Sequence, residues 1–589
     1  MPRTTLALTS FVSGEFSAKL DGRTDFQKYN SSCKTLENFL VHPQGAATRR
    51  VGTQFIAEVK SSAAKTRLIP FEFSTTQTYI LEFGNNYIRF FKDKGQILSG
   101  GSAYEIATPY ATSELFDIKF AQSADVMYLC HPNHDVRKLS RTGHTSWTLS
   151  TVSFTGSPSP AISGADNRPS CVSFFEQRLV FANTNNNPQT LFFSKSGDYE
   201  NMTTGTNADD AMIYTIASNQ VNAIRFLKAQ RTLIVGTTGG EFTVSADGTD
   251  AAITPTNIAI KRQSSYGSAN VDAQPAGNAT LFLQRAKRKI RELAYNFDVD
   301  GYQAADMTIL NDTVTTSGIN EMAYQQSPDS ILWCVRDDGV LSGLTYQRAE
   351  QVTSWHRHIL GGVFGSGNAV VESVATISGT LNEDELWVIV KRTINGATKR
   401  YVECFAQFDF DETTPTDFRF LDSHLTYDGS ATTTLSGLSH LEGQSVSILA
   451  DGAAHANKTV SSGAITLDRS VTKAVVGLSY DSVLQTMRIE GGAAEGTSQG
   501  KTKRISKVVL RLFETVGVKV GPSLTNLEAV PFRTTSDPMD TPVSTFIAGD
   551  KEIEFNDDFN SDGFIFIKQD QPLPCSVLAI YPTLVTSDG

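Results

Sequence analysis

Long apolar runs are missing from this chain of 589 residues: no stretch approaches the roughly 18 residues that a membrane span requires, so none is expected. Cysteine is sparse. Its six copies (Cys33, Cys130, Cys171, Cys334, Cys404, Cys575) stand singly, mostly inside strand-like segments, which predicts buried, reduced thiols and suits synthesis in a cytoplasm. Basic charge is in deficit, with 51 Lys and Arg against 62 Asp and Glu, a net charge of −11 and a sequence pI near 5.4. Tight nucleic-acid binding needs clustered cations to neutralise phosphates, and this balance argues against it. A surface past which DNA slides is compatible with it, because repulsion lubricates passage. The opening residues Met1-Pro2-Arg3-Thr4-Thr5-Leu6 hold too short an apolar core for a signal peptide. No Walker loop or G-x-G-x-x-G follows a strand.

What is present is turn-rich and apolar: 40% hydrophobic residues, 44 Gly and 35 Phe, in a length that suits about four domains. One unit recurs seven times, a short apolar strand, a tight polar turn and a second apolar strand. The first strands are anchored at Tyr79, Met127, Leu179, Leu233, Leu281, Ile331 and Leu386, spaced 48, 52, 54, 48, 50 and 55 residues apart. A period of roughly 40–50 residues built from strands is the pattern of a β-propeller blade. Gly84-Asn85-Asn86, Asp338-Gly339 and Asn395-Gly396 supply residues that tolerate the positive φ of tight hairpins, and Gly239-Gly240 does so with glycine alone. Trp147 and Trp355 follow the second strand of their units, a placement suited to packing between blades.

Outside the repeats, Phe26, Tyr29, Cys33, Leu36, Phe39 and Leu40 follow helical spacing, with Asp25 placed to cap and Pro43 and Gly45 to close. A helix is therefore expected over residues 26–40. Residues 411–417 are polar and unpatterned, a boundary. Beyond them short alternating strands with Gly turns predict a small β-sandwich or barrel, ended by a flexible connector at 491–500. The fold class expected is all-β: a propeller-like core of about seven hairpin units, a small β-sandwich or barrel, and one N-terminal helix. Its parts are an N-terminal platform at 1–70, the repeats at 71–410, the sandwich at 411–500, and C-terminal strands at 501–589 returning to the core.

Candidate chemistry is thin. Gly496-Thr497-Ser498-Gln499-Gly500 matches the nucleophile pattern G-x-S-x-G but lacks the buried strand before it and the helix after it. Asp558, Asn560, Asp562 and Gly563 open like a calcium loop, yet Gln569 stands where a bidentate Glu is needed. His131 with His134, and His356 with His358, have no Cys, Asp or Glu at metal-ligand spacing. Carboxylate pairs for glycoside chemistry are assembled in space, and no sequence feature nominates one. Arg49-Arg50, Lys287-Arg288-Lys289 with Arg291, and the run at 501–507 are local basic clusters, the second on a hairpin turn. No catalytic, cofactor or metal residue is nominated.

Several segments carry a resemblance. Phe11-Val12-Ser13-Gly14-Glu15-Phe16-Ser17 leads to Leu20-Asp21-Gly22-Arg23, Leu36-Glu37-Asn38-Phe39, Pro43-Gln44-Gly45 and Ala47-Thr48-Arg49-Arg50-Val51-Gly52-Thr53. Further along stand Arg67-Leu68-Ile69-Pro70-Phe71-Glu72-Phe73, Val235-Gly236-Thr237 with Gly240-Glu241-Phe242, and Arg336-Asp337-Asp338-Gly339 with Leu344-Thr345-Tyr346. Trp355-His356-Arg357-His358, Pro572-Leu573-Pro574 and Ile580-Tyr581-Pro582 complete the set. Together they resemble the tail nozzle proteins, or tail tubular protein B, of short-tailed bacteriophages, over nearly the whole chain.

The resemblance implies a virion structural protein of the tail, made in the bacterial host cytoplasm, without catalysis or cofactor. It implies a homo-hexameric ring below the tail adaptor that continues the DNA channel, retains and then passes genomic double-stranded DNA, and docks fibres or tailspikes, with a needle or plug protein as a further partner. With the net charge, it predicts a lumen wall that is negative or neutral. Two other readings stay open. One is a propeller-fold glycan hydrolase or lyase acting on host polysaccharide, marked by carboxylates and aromatics at the propeller axis. The other is a plug that stabilises packaged DNA without forming a ring.

Overall fold

In a computed structural model of the chain, residues 3–217, 221–248, 251–379, 383–407, 414–491, 497–533, 535 and 546–587 are described. Strands take up 56% of the chain and helical turns 4%, all of the latter short 3-10 turns. Each of the seven anchors lies on the second strand of an antiparallel blade, and the hairpin around it forms strands two and three. Blades two to five are separate four-stranded sheets, blade one has a fifth strand, and blades six and seven run on into larger sheets. The innermost strands are Arg67–Ser74, Lys119–Ser123, Cys171–Phe175, Ile224–Ala229, Gln274–Ala276, Ile319–Gln325 and Val370–Ser378, one per blade. The turns behave as their residues demand: Asn395 and Gly396 take φ of 47° and 74° between Asp384–Ile394 and Ala397–Phe405.

The ring closes with a strand from the other end of the repeat. Thr53–Glu58, which precedes blade one in sequence, is the outermost strand of blade seven, antiparallel to Ala397–Phe405 with Val402 opposite Ala57. Seven separate apolar clusters fill the seven gaps between blades, including the one between seven and one, where Leu68, Ile80 and Phe91 meet Trp387 and Ile389. A propeller is therefore set by the strand ladders and by where the apolar side chains face. Trp147 packs as its position predicted, its ring 4.8 Å from Phe71 and 4.6 Å from Phe90 of the neighbouring blade. Trp355 does the same between blades five and six. All six cysteines are buried and unpaired.

The termini build one further unit. A first sheet orders Phe39–Val41, Ala47–Arg49, Ser576–Ser587, Thr502–Thr515 and Phe546–Glu554. A second runs Gly14–Glu15, Ser32–Glu37, Ser482–Thr486, Phe566–Gln569, Lys519–Ser523 and Asn526–Ala529, and joins edge-on to Val352–His358 of blade six. Leu36, Phe39, Val508, Leu510, Ile567 and Ile580 fill the space between them, so the two ends of the chain share one core. Residues 422–478 extend blade seven outward through Asp422–Ser436 and Ala464–Leu478, around a core of their own that includes Leu441, Ile448 and Val476. Residues 411–413 of the expected boundary and 492–496 of the expected connector lie outside the described residues.

The helix expected over residues 26–40 is not there. That segment holds a single 3-10 turn, Tyr29–Ser31, then the strands Ser32–Glu37 and Phe39–Val41. Two irregularities turn a period of two into a period of three. A register shift between Cys33 and Thr35 lets Cys33 and Leu36 both face the core. Asn38, at φ 56°, then re-aims the chain so that Phe39 follows Leu36 inward.

Candidate functional site

Between propeller, terminal unit and the 422–478 extension lies a fully buried polar junction, built on one extended segment. Side chains alternate along residues 49–53, so Arg49 and Arg50 leave the backbone in opposite directions and each finds its own acceptors. Arg50 grips Asp422 with two bonds, Nη2 to Oδ2 at 2.7 Å and Nη1 to Oδ1 at 2.8 Å, and its Nε donates to Asn38 Oδ1 at 2.8 Å. Asp422 also accepts the backbone N–H of Gly361 at 2.7 Å and of Thr53 at 3.1 Å. Burial alone would raise the Asp422 carboxyl; Arg50 and these donors outweigh it and hold the group below the usual carboxylate range. Arg49 donates to the carbonyls of Leu573 and Tyr480, each at 2.9 Å, and the Tyr480 ring stacks on Arg50 at 3.7 Å. Arg392 pairs with Glu403, both without exposed side-chain surface, and Glu403 accepts the Thr53 hydroxyl at 2.6 Å. Gly52 has no alternative here, since a Cβ would sit 1.8 Å from the Leu421 carbonyl oxygen.

The same junction fixes the terminal unit to blade six. Gly14, at φ 64°, lies so close to Trp355 that a Cβ would meet its backbone at 2.5 Å, and Glu15 pairs with Arg357 at 2.8 Å. His356 and His358 are wholly buried and share a hydrogen bond of 2.6 Å. Burial lowers both, His356 to about 3 and His358 well below its ordinary value, so both are neutral imidazoles. Of the basic clusters, Arg49 and Arg50 are thus internal. Lys287, Arg288 and Lys289 are exposed on their hairpin, whereas Lys503 is buried with its Nζ 3.2 Å from the Ile489 carbonyl.

At the propeller axis the seven innermost strands surround a funnel of about 440 Å³. Its charged residues are brought from distant blades. Lys119 of blade two reaches Asp272, just before the innermost strand of blade five, at 2.9 Å. Asn270 donates to Asp117 at 2.9 Å beside it. Blades two and five are nearly opposite in a seven-membered ring, so these contacts span the axis. Arg67 binds Glu321 at 2.9 Å, and Glu321 also accepts from Ser373 at 2.7 Å and from the Val374 N–H at 2.9 Å. Asp272 and Glu321 are therefore each engaged by a cation, and Asp117 by the Asn270 amide.

His131 and His134 acquire a partner that spacing along the chain concealed. Glu114, on the 3-10 turn Thr112–Asp117, accepts the His134 Nε2 proton at 2.9 Å, and one ligand-type atom from each of the three lies within 4.8 Å of the others. The Nδ1 of His131 already accepts the Asn133 N–H at 3.1 Å, so that nitrogen's lone pair is spent on the turn. The ring's other nitrogen then carries the proton, and a cation would have to displace this arrangement. Of the loops set aside on sequence grounds, Ser498 is buried and accepts the Gly491 N–H at 2.9 Å. Asn560 caps its own turn by accepting from Asp562 and Gly563, each at 2.8 Å. Among the described residues no helix is long and apolar enough to cross a membrane.

No protein-family model matches the chain, and no curated protein matches it. Solved structures similar to it are propellers. They include the β-propeller domain of Cps50 (Swd1) from Myceliophteria thermophila, 9% identical over 60% of this chain and 99% of that one, with a TM-score of 0.36. The WD40 repeats of RRP9 are 9% identical over 61% and 100%, with a TM-score of 0.39. The Pan2 WD40 domain of Neurospora crassa is 8% identical over 62% and 96%, with a TM-score of 0.36.

Proposed function

We propose that this chain is a subunit of the tail nozzle of a short-tailed bacteriophage, a non-catalytic ring protein that continues the DNA channel below the adaptor, passes genomic DNA on ejection and docks fibres or tailspikes. The observation that carries the reading is the buried junction. Segments that make up the resemblance to tail nozzle proteins lie hundreds of residues apart, yet Gly14 and Glu15, Arg49 to Thr53, Trp355 to His358, and Leu573 meet there. A ring subunit must hold its parts at one fixed angle while DNA passes under pressure, and buried bidentate pairs fix angles as well as distances.

The axis of the propeller is not the path for DNA. Lys119 and Asp272 span it, whereas the major groove of a duplex is by itself about 12 Å wide. Passage in this reading runs between subunits, along a wall that the −11 charge makes neutral or negative. The glycan-hydrolase reading is the weaker one, because Asp272 and Glu321 are neutralised where it needs free carboxylates. Sedimentation velocity of the purified chain with the adaptor of the same virion tests the proposal. A complex with several copies of this chain per adaptor ring is expected; two species that sediment independently would overturn it.

A further inference from the structure

We infer that the axial funnel is a binding site for a single carboxylate carried on an apolar group, with Lys228 as its counter-ion. Lys228 lies on Ile224–Ala229, the innermost strand of blade four, and lines the funnel. The other cations of the lining are committed: Arg67 to Glu321 and Lys119 to Asp272. Among the described residues the Lys228 side chain alone of the lining cations makes no ion pair or hydrogen bond, its backbone pairing with Ile234 in the blade. An ammonium half-shielded from water without a partner is unfavourable, and an anion entering beside it removes that penalty. Burial already pulls the group below the usual lysine range, with only Asp272 acting against the shift.

The chemistry of the ligand follows from the walls. One uncommitted cation calls for one negative charge, which a carboxylate carries and a doubly charged phosphate exceeds. Phe120 and Phe174, both part-exposed, line the same space and suit an aromatic or aliphatic body behind the charge. The funnel's volume of about 440 Å³ falls within the roughly 300–1,000 Å³ of small-ligand sites. Such a carboxylate could come from a free small molecule or from the C-terminus of a protein partner threaded into the funnel. The site is independent of the nozzle reading and stands or falls by itself.

Calorimetric titration and thermal unfolding of the full chain test it with four probes. These are 4-phenylbutyrate, its neutral amide, acetate, and a pentapeptide ending in phenylalanine with a free carboxylate. Binding of 4-phenylbutyrate with a raised unfolding temperature is expected, and no response to the amide. Acetate should bind at least about tenfold more weakly, since it lacks the apolar body. A response to the peptide equal to that of 4-phenylbutyrate assigns the site to a chain terminus; a response to 4-phenylbutyrate alone assigns it to a free ligand. Lys228→Met should weaken binding about tenfold or more, and Lys228→Arg should restore most of it. Equal binding of acid and amide, silence toward every carboxylate, or undiminished affinity in Lys228→Met would overturn the inference. The comparison of acid with amide uses only the wild-type chain, so the test survives a variant that does not fold.

Discussion

A buried guanidinium is tolerated when its N–H groups have acceptors and its charge has an anion, and Arg50 meets both conditions through Asp422, Asn38 and the carbonyl of Val51. Removing the anion while keeping its shape leaves the charge stranded. Asp422→Asn should therefore lose about 3–5 kcal/mol of stability in urea unfolding, against roughly 0.5 kcal/mol or less for the exposed Lys287→Ala. A loss near that of the control would mean that water or another anion reaches Arg50. The buried histidines give a second test, through pH. His358 titrates near 6.5 when unfolded and well below that when folded, so its neutral form favours the fold above about 6.5 and this contribution fades as pH falls. Glu82, which burial pushes up to about 7, acts in the opposite sense over the same window. The comparison that isolates His358 is therefore the slope of a variant. In His358→Gln the stability lost between about pH 6.5 and pH 5 should shrink by about 2 kcal/mol relative to wild type. Identical slopes would show that His358 is protonated or hydrated in the folded chain. Neither Arg50 nor His358 announces its role in sequence: Asp422 lies 372 positions from Arg50, and His358, though bonded to His356 two residues away, owes its burial to packing that no local pattern shows; the Arg49-Arg50 pair reads as one more basic cluster until Asp422 is placed beside it.

Strand pairs show the same division between local and distant information. The seven hairpins were legible because each is written in contiguous residues, with its turn between its own strands, as at Asn395 and Gly396. Which strand closes the ring was not, because Thr53–Glu58 looks like any short strand until the other end of blade seven needs a partner. The false helix arose where a register shift at Cys33–Thr35 and the left-handed Asn38 imitate helical spacing, irregularities that apolar periodicity alone does not reveal. The extension at 422–478 joins a local core to the buried junction. Its outer part has its own core, and Tyr427 pairs directly with Ala474. Joining these two positions with a two-residue Asn-Gly turn, and so removing residues 428–473, should leave the propeller folded, with far-ultraviolet circular dichroism still dominated by strand and a cooperative thermal transition. Deleting residues 421–480 also removes Asp422 and Tyr480 from the junction and should unfold the protein. Survival of the longer deletion would show that the junction does not hold the units together.

At the scale of the whole molecule, seven blades, a closing strand from the N-terminal side and a unit woven from both ends make a body in which the chain termini are tied to the middle of the sequence. Blade six continues into the terminal unit as one ten-stranded sheet, and blade seven continues into the 422–478 extension as one of eight. The joints themselves are narrow, Gly14 and Glu37 meeting Trp355 and Arg357 and His424 meeting Gln54, and they sit beside the buried Arg50–Asp422 pair, whose hydrogen bonds water could not replace if the units bent apart. That arrangement suits a part that carries load, and at the axis Glu321 and Asp272 are each held by a cation. The proposed role rests on the resemblance; composition and repeats led as far as an acidic, all-β scaffold and no further. The most direct test is an electron micrograph of intact virions labelled with a gold-conjugated antibody against this chain. Gold at the tail tip below the adaptor is the result predicted for a nozzle. Gold confined to the capsid, or none on virions that carry a complete tail, would contradict it.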